Sequence, residues 1–326
     1  MDLIADRGRR VQVEELNTSK LLAHAAKQTR DKGFDDVLII DVDAHHYENE
    51  SFAEILPFME NEVLKQLALA SRAKGGRGSV APSGFGYQDM GGRVTRYPLR
   101  STEKTDPKGA HRDVQLGCRW MDAMGVDYSC LFPTGMLSIG LHPQKEMEVE
   151  LCWAYNRWCT EKAIPESGGR FFTMLSLPFS DPEAAYRQVE TFGDRKGVGG
   201  FMVTTVRPKM GVYDNAYMKL YRAIEERGLV LSFHSGPSWG DHTFQSCNRF
   251  LAAHALGFSW YNILHCTNWV VNGMGERFPK LPVIWIEAGL SWIPFVMQRI
   301  DHEYMLRPSE APLLKKKPSD YMRDMY

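Results

Sequence analysis

Along the 326-residue chain, short apolar runs alternate with longer stretches whose apolar residues recur at helical spacing. Six runs read as strands, at 37–40, 128–133, 171–177, 200–205, 229–234 and 283–287. Short runs rich in Val, Leu, Ile and Phe, bounded by polar or turn residues, mark strands buried on both faces. Between them the spacing predicts helices at 49–74, 113–124, 145–164, 215–227 and 292–304, with a Trp- and Asn-rich helical region over 248–277. A further helix opens at Ser180-Asp181-Pro182-Glu183, where a capping carboxylate precedes a proline. Strand then helix, six times over, predicts an α/β fold with a parallel sheet and right-handed crossovers. Residues 1–36 read as a helical lead-in and 37–326 as one barrel-like domain. Within it, residues 75–110, rich in Gly, Pro, Ser, Arg and Lys, read as a loop insertion lying over a site.

The polar residues at the strand ends carry the candidate chemistry. The first run continues into Asp41-Val42-Asp43-Ala44-His45-His46. Residues i and i+2 of a strand share a face, so Asp43 and His45 stand side by side. A carboxylate beside an imidazole is half of a metal site, although the same residue types also gather in ordinary turns. The fifth run ends in His234, either a third ligand or a core histidine satisfied by backbone. The sixth ends in Glu287, which either handles a proton or pairs with Arg299 as structural support. All lie at the C-terminal ends of strands, where α/β active sites form.

Composition narrows the partners. With 39 basic and 40 acidic residues the net charge is -1, which leaves no footprint for nucleic acid or an anionic membrane. Lys315-Lys316-Lys317 reads as a solvated end. No apolar stretch approaches a membrane span, and the charged first residues lack the apolar core of a signal peptide, so a cytoplasmic location is expected. The six cysteines form no CxxC pair and read as reduced, buried thiols. Cys152 and Cys159, seven apart on a predicted helix, fit core packing better than a metal pair.

Four segments, in order, resemble a known family: Asp41-Val42-Asp43-Ala44-His45, Met121-Asp122-Ala123-Met124-Gly125-Val126-Asp127, Phe233-His234-Ser235-Gly236, and the run from Arg277 to Val283 leading into Glu287-Ala288-Gly289-Leu290-Ser291-Trp292. The resemblance is to the amidohydrolase-related metal-dependent hydrolases, in the branch with aminocarboxymuconate-semialdehyde decarboxylase and γ-resorcylate decarboxylase. It implies a TIM-type (β/α)8 barrel with one divalent metal, zinc ahead of manganese. Asp43 and His45 match the strand-one ligand pair, and His234 the strand-five ligand. Asp43 stands where the family usually has His or Glu. Glu287 stands where the decarboxylases have a histidine, and a carboxylate there repels a substrate carboxylate. The family's strand-eight aspartate, ligand and base, has no counterpart before Tyr326, so strands seven and eight are expected to be missing.

The leading expectation is a metal-dependent hydrolase, with metal-activated water attacking a small cyclic or aromatic substrate and Glu287 and His234 as catalytic groups. Trp239 and His242, with the 75–110 loop, are expected to shape the substrate pocket, although Trp239 equally suits packing. One alternative is non-oxidative decarboxylation of an aromatic or unsaturated acid, which a cationic pocket would favour. The other is a fragment or half of a split enzyme, completed by a second chain or by a partner in a homo-oligomer.

Overall fold

The computed structural model describes residues 18–46, 53–73, 104–204, 211–236 and 242–325. Among them are six strands: β1 Ile40–His46, β2 Tyr128–Pro133, β3 Phe171–Ser176, β4 Val198–Thr204, β5 Val230–His234 and β6 Val283–Ile286. They form one sheet in sequence order, and every neighbouring pair is parallel. Strands in a sheet lie about 4.8 Å apart, so β1 and β5 would be separated by about 19 Å if the sheet were flat. Side-chain atoms from β1, from β5 and from the end of β6 instead lie within 4.8 Å of one another. The sheet is therefore curled into an open barrel that brings its first and last strands together.

The concave face is filled by Cys130, Phe132, Met174, Met202 and Ile286. The convex face packs on the helices through Leu131, Leu175, Phe201, Leu231 and Phe233. The helix Lys145–Trp158, between β2 and β3, runs through a π-helical turn at Cys159–Ala163 into Ile164–Glu166. Cys152 and Cys159 are both fully buried on it, in the core. Burial pushes the Cys152 thiol well up, so it packs as an apolar group. Asp181 caps the helix Pro182–Phe192 by accepting from the Ala184 N–H at 3.0 Å, as its place before Pro182 predicts. Gly125, at φ 69°, ends the helix Arg112–Met124.

One expectation needs correction. Val37 and Leu38 are not in a buried strand; they precede β1 and are exposed, as are Ile40 and Val42. Among the described residues β1 is a sheet edge, with β2 on one side only, so an apolar run there is not enclosed. Lys315, Lys316 and Lys317 are exposed, as a solvated stretch should be, while Ala311, Leu314, Tyr321 and Met322 around them are buried against the helix Trp292–Leu306. Ser319 fastens the stretch by donating from N and Oγ to the Asp301 carboxylate at 2.8 and 2.7 Å. Residues 75–103 of the expected insertion lie outside the described residues. No helix among those described is long and apolar enough to cross a membrane.

The spacing of β4 and β5 leaves no room for a side chain at Gly200. A Cβ there would fall 2.1 Å from the Val230 carbonyl oxygen, which belongs to a strand and cannot turn away. Gly200→Ala is expected to destabilise the fold by about 2–3 kcal/mol through overpacking, read as a lowered midpoint in thermal unfolding.

Candidate metal centre

Strand geometry assembles the site. The four residues Asp41–Ala44 of β1 are matched by three on β2, Ser129–Leu131, so β1 carries a bulge. A bulge bends its strand and re-aims a side chain. Here the Asp43 N–H turns to the Asp41 carboxylate at 3.1 Å, and Asp43 and His45 face the concave side. His234 ends β5 in register with Thr204 on β4 and Ile286 on β6. Glu287 follows Ile286 immediately.

Three atoms from these residues form a nearly equilateral triangle. Asp43 Oδ1 lies 3.2 Å from His45 Nε2 and 3.3 Å from His234 Nε2, and the two imidazole nitrogens are 3.2 Å apart. Tetrahedral ligands held about 2.0–2.1 Å from a zinc ion lie about 3.3–3.4 Å from one another. The triangle therefore has the dimensions of one face of such a site. Glu287 stands just outside it, with Oε2 4.0 Å from His45 Nε2 and 3.9 Å from His234 Nδ1.

The protonation pattern fits a cation. His234 Nδ1 lies 2.8 Å from the Ser235 carbonyl oxygen, which can only accept, so Nδ1 carries the proton. In the neutral ring Nε2 then offers a lone pair to the centre, the tautomer that a metal ligand needs. That lone pair faces a carboxylate oxygen at 3.3 Å, an opposition that a positive ion between them relieves. His234 is fully buried and packs edge-on against His45, with the Phe132 ring tilted against it at 5.0 Å. Burial works to raise the Asp43 carboxyl, but with both imidazoles protonated, and so carrying Nε2–H where an ion would otherwise sit, hydrogen bonds and charge from His234 and His45 outweigh it and hold the group far below the usual carboxylate range. Glu287 goes the other way: burial raises it, the two histidines pull it down by less, and the Asp43 charge pushes it up. Two carboxylates are thus driven apart, one toward permanent ionisation and one toward taking up a proton.

A cavity of about 480 Å³ opens on this cluster. Asp43, His45 and Glu287 are among its lining residues, and Trp120, Met121, Met124 and Trp158 contribute apolar walls. Asp41 and Asp113 also line it, and among the described residues no Lys or Arg does.

Of the other expected site residues, Trp239 lies outside the described residues. His242 is exposed, at the start of a short 3-10 turn, and does not belong to the four-residue cluster. The expected pairing of Glu287 with Arg299 is not formed; Arg299 instead meets Glu303, one helical turn on, at 3.0 Å. Sequence reasoning missed His46, which alternation sends to the convex face. It is buried there against the Tyr155 and Trp158 rings, with Nε2 2.8 Å from the Tyr155 hydroxyl and Nδ1 3.7 Å from Asp113. The signal was its odd place in the period-two pattern beside His45.

Comparison with known proteins agrees with this architecture. An amidohydrolase from Mycobacterium avium subsp. paratuberculosis superposes with a TM-score of 0.56 at 18% identity, covering 68% of this chain and 59% of that one. A 5-carboxyvanillate decarboxylase from Sphingomonas paucimobilis gives 0.52 at 23% identity, covering 63% and 61%. A 5-carboxyvanillate decarboxylase from Novosphingobium aromaticivorans, complexed with manganese and a nitrobenzoic acid, gives 0.61 at 18% identity, covering 89% and 78%. The chain thus spans about three fifths of the length of the first two. At these identities the likeness establishes the fold, a TIM-type barrel architecture of which six strands are present among the described residues. No curated protein matches in sequence. The family profile described as Amidohydrolase matches residues 122–324, from the helix before β2 through the packed C-terminal stretch, and includes His234 and Glu287. Over more than half its length, and with the fold to match, the chain belongs to the amidohydrolase family.

Proposed function

We propose that this chain carries the metal centre of a hydrolase acting on a small substrate without a carboxylate. Asp43, His45 and His234 would hold one divalent ion, with zinc preferred on the tetrahedral spacing of two imidazoles and a carboxylate. The chemistry supplied by such an ion is Lewis acidity, which polarises a carbonyl and lowers the pKa of water to about 7. The Ser235 carbonyl fixes the His234 ring and its tautomer. Glu287, beside but outside the triangle and raised by burial, accepts the proton released as water attacks. Trp120, Met121 and Met124 receive the apolar body of the substrate.

The observation that carries this reading is the charge of the cavity. Asp41, Asp43, Asp113 and Glu287 line it, with no Lys or Arg among the described residues. A substrate carboxylate would meet several like charges with the bound ion alone to offset them, whereas a neutral amide, lactone or ester would not. The decarboxylase reading is supported by the activity for which two structural neighbours are named, 5-carboxyvanillate decarboxylation. A panel assay separates the two. Protein loaded with Zn²⁺ or Mn²⁺ is expected to hydrolyse neutral cyclic or aromatic amides or esters and to release no CO₂ from hydroxybenzoates. CO₂ release without hydrolysis would replace this reading with the second.

A further inference from the structure

Glu287 reaches the centre only by breaking the alternation of its strand. Ile284 and Ile286 lie on the concave face with Phe132 and Met202, while Trp285 points to the convex face and stacks on Phe233. Continued regularly, β6 would send Glu287 outward with Trp285. Instead Glu287 has φ 59°, and it is the one non-glycine residue with positive φ among those described. An L-residue with a long side chain seldom adopts that conformation unless its surroundings impose it.

The surroundings here are one turn of the helix Phe250–Val271. Asn262, fully buried, donates from Nδ2 to the Ile286 carbonyl at 2.9 Å. Ser259, one turn earlier, donates from Oγ to the Ala288 carbonyl at 2.8 Å. The carbonyls before and after Glu287 are thus held from the same helix face. The same turn holds the β5 exit: Ser235 Oγ donates to the Phe258 carbonyl at 2.6 Å, while the Ser235 carbonyl orients His234.

We infer that Ser259 and Asn262 are positioning residues that hold the Glu287 backbone in the left-handed region and so swing its carboxylate from the convex side onto the metal centre. The role this gives Glu287 in turnover rests on the function proposed above; the clamp itself does not. Supporting groups that orient an active-site residue through its main chain are as consequential as the residue they place.

A thermal double-mutant cycle on the full chain tests the clamp. Glu287→Gly removes the side chain that dislikes positive φ, and is expected to raise the unfolding midpoint by about 2–4 °C. In a Ser259→Ala background, which deletes a single part-buried hydroxyl and spares the fold, the backbone can relax and the gain should shrink to less than half. Ser259→Thr, which keeps the hydroxyl, should preserve it. An equal gain in all three backgrounds would overturn the clamp, since the strain would then belong to the β6 turn alone. Turnover gives the second readout: Ser259→Ala should lower kcat about tenfold or more with KM little changed, and Ser259→Thr should restore it. Coupling in the thermal cycle without a change in kcat would leave the clamp standing and remove Glu287 from the chemistry.

Discussion

His234→Ala is expected to leave a folded protein that no longer retains a divalent ion. His234 contributes one of three triangle atoms, and it alone is fully buried with its tautomer set by a backbone carbonyl. Without it, Asp43 and His45 on a single strand are a two-ligand site, which binds zinc weakly and does not hold it through dialysis. Elemental analysis should find about one ion per chain in the wild-type protein and less than about a tenth of that in the variant. Circular dichroism should show the secondary structure of the two to be the same. A variant that kept its full metal content would remove His234 from the ligand set.

The second large effect is on rate. Glu287→Gln keeps the volume and the reach of the side chain but cannot accept a proton. General base catalysis contributes about 10²–10⁴-fold, so kcat should fall within that range while KM changes little. Metal content should persist, because Glu287 Oε2 stands 4.0 Å from His45 Nε2, outside the triangle. An unchanged kcat would assign Glu287 to charge balance around the site instead of proton transfer.

These two residues also show where sequence was sufficient and where it was not. Period two along β1 placed Asp43 and His45 on one face, and the apolar run before His234 placed that ring at the end of a parallel strand. Their convergence follows once six strands of one sheet are taken to curl. Tyr128–Pro133 was legible to the residue, because it is apolar, short and closed by Gly125 upstream. At β1 the rule misled. Val37 and Leu38 are as apolar as a buried strand, but an edge position leaves them exposed, and only pairing reveals an edge. The bulge between Asp41 and Ala44 has no sequence signature of its own, since it is defined by a mismatch with β2.

Glu287 was placed at the centre by its motif, yet alternation along β6 argues for the opposite face. The left-handed turn that reconciles the two depends on Ser259 and Asn262, more than twenty residues upstream on a helix whose polar positions look incidental. Long-range hydrogen bonds to main-chain carbonyls are invisible to periodicity. The same holds for Arg299, which lies at a plausible distance from Glu287 in sequence but is taken by Glu303, its i+4 neighbour.

The cavity has the acidic and imidazole lining that the metal reading needs, and among the described residues no Lys or Arg lines it. The apolar walls at Trp120, Met121, Met124 and Trp158 suit a ring or a short hydrocarbon body. Asp113 and His46 extend the polar lining away from the centre, so replacing either is expected to alter KM more than kcat.

The central claim is that Asp43, His45 and His234 share one ion. Anomalous diffraction from crystals loaded with Zn²⁺, collected on both sides of the zinc edge, tests it most directly. A single peak within about 2.0–2.2 Å of Asp43 Oδ1, His45 Nε2 and His234 Nε2 is the predicted result. Full-occupancy zinc bound elsewhere, with the three side chains unliganded at its expense, would contradict it.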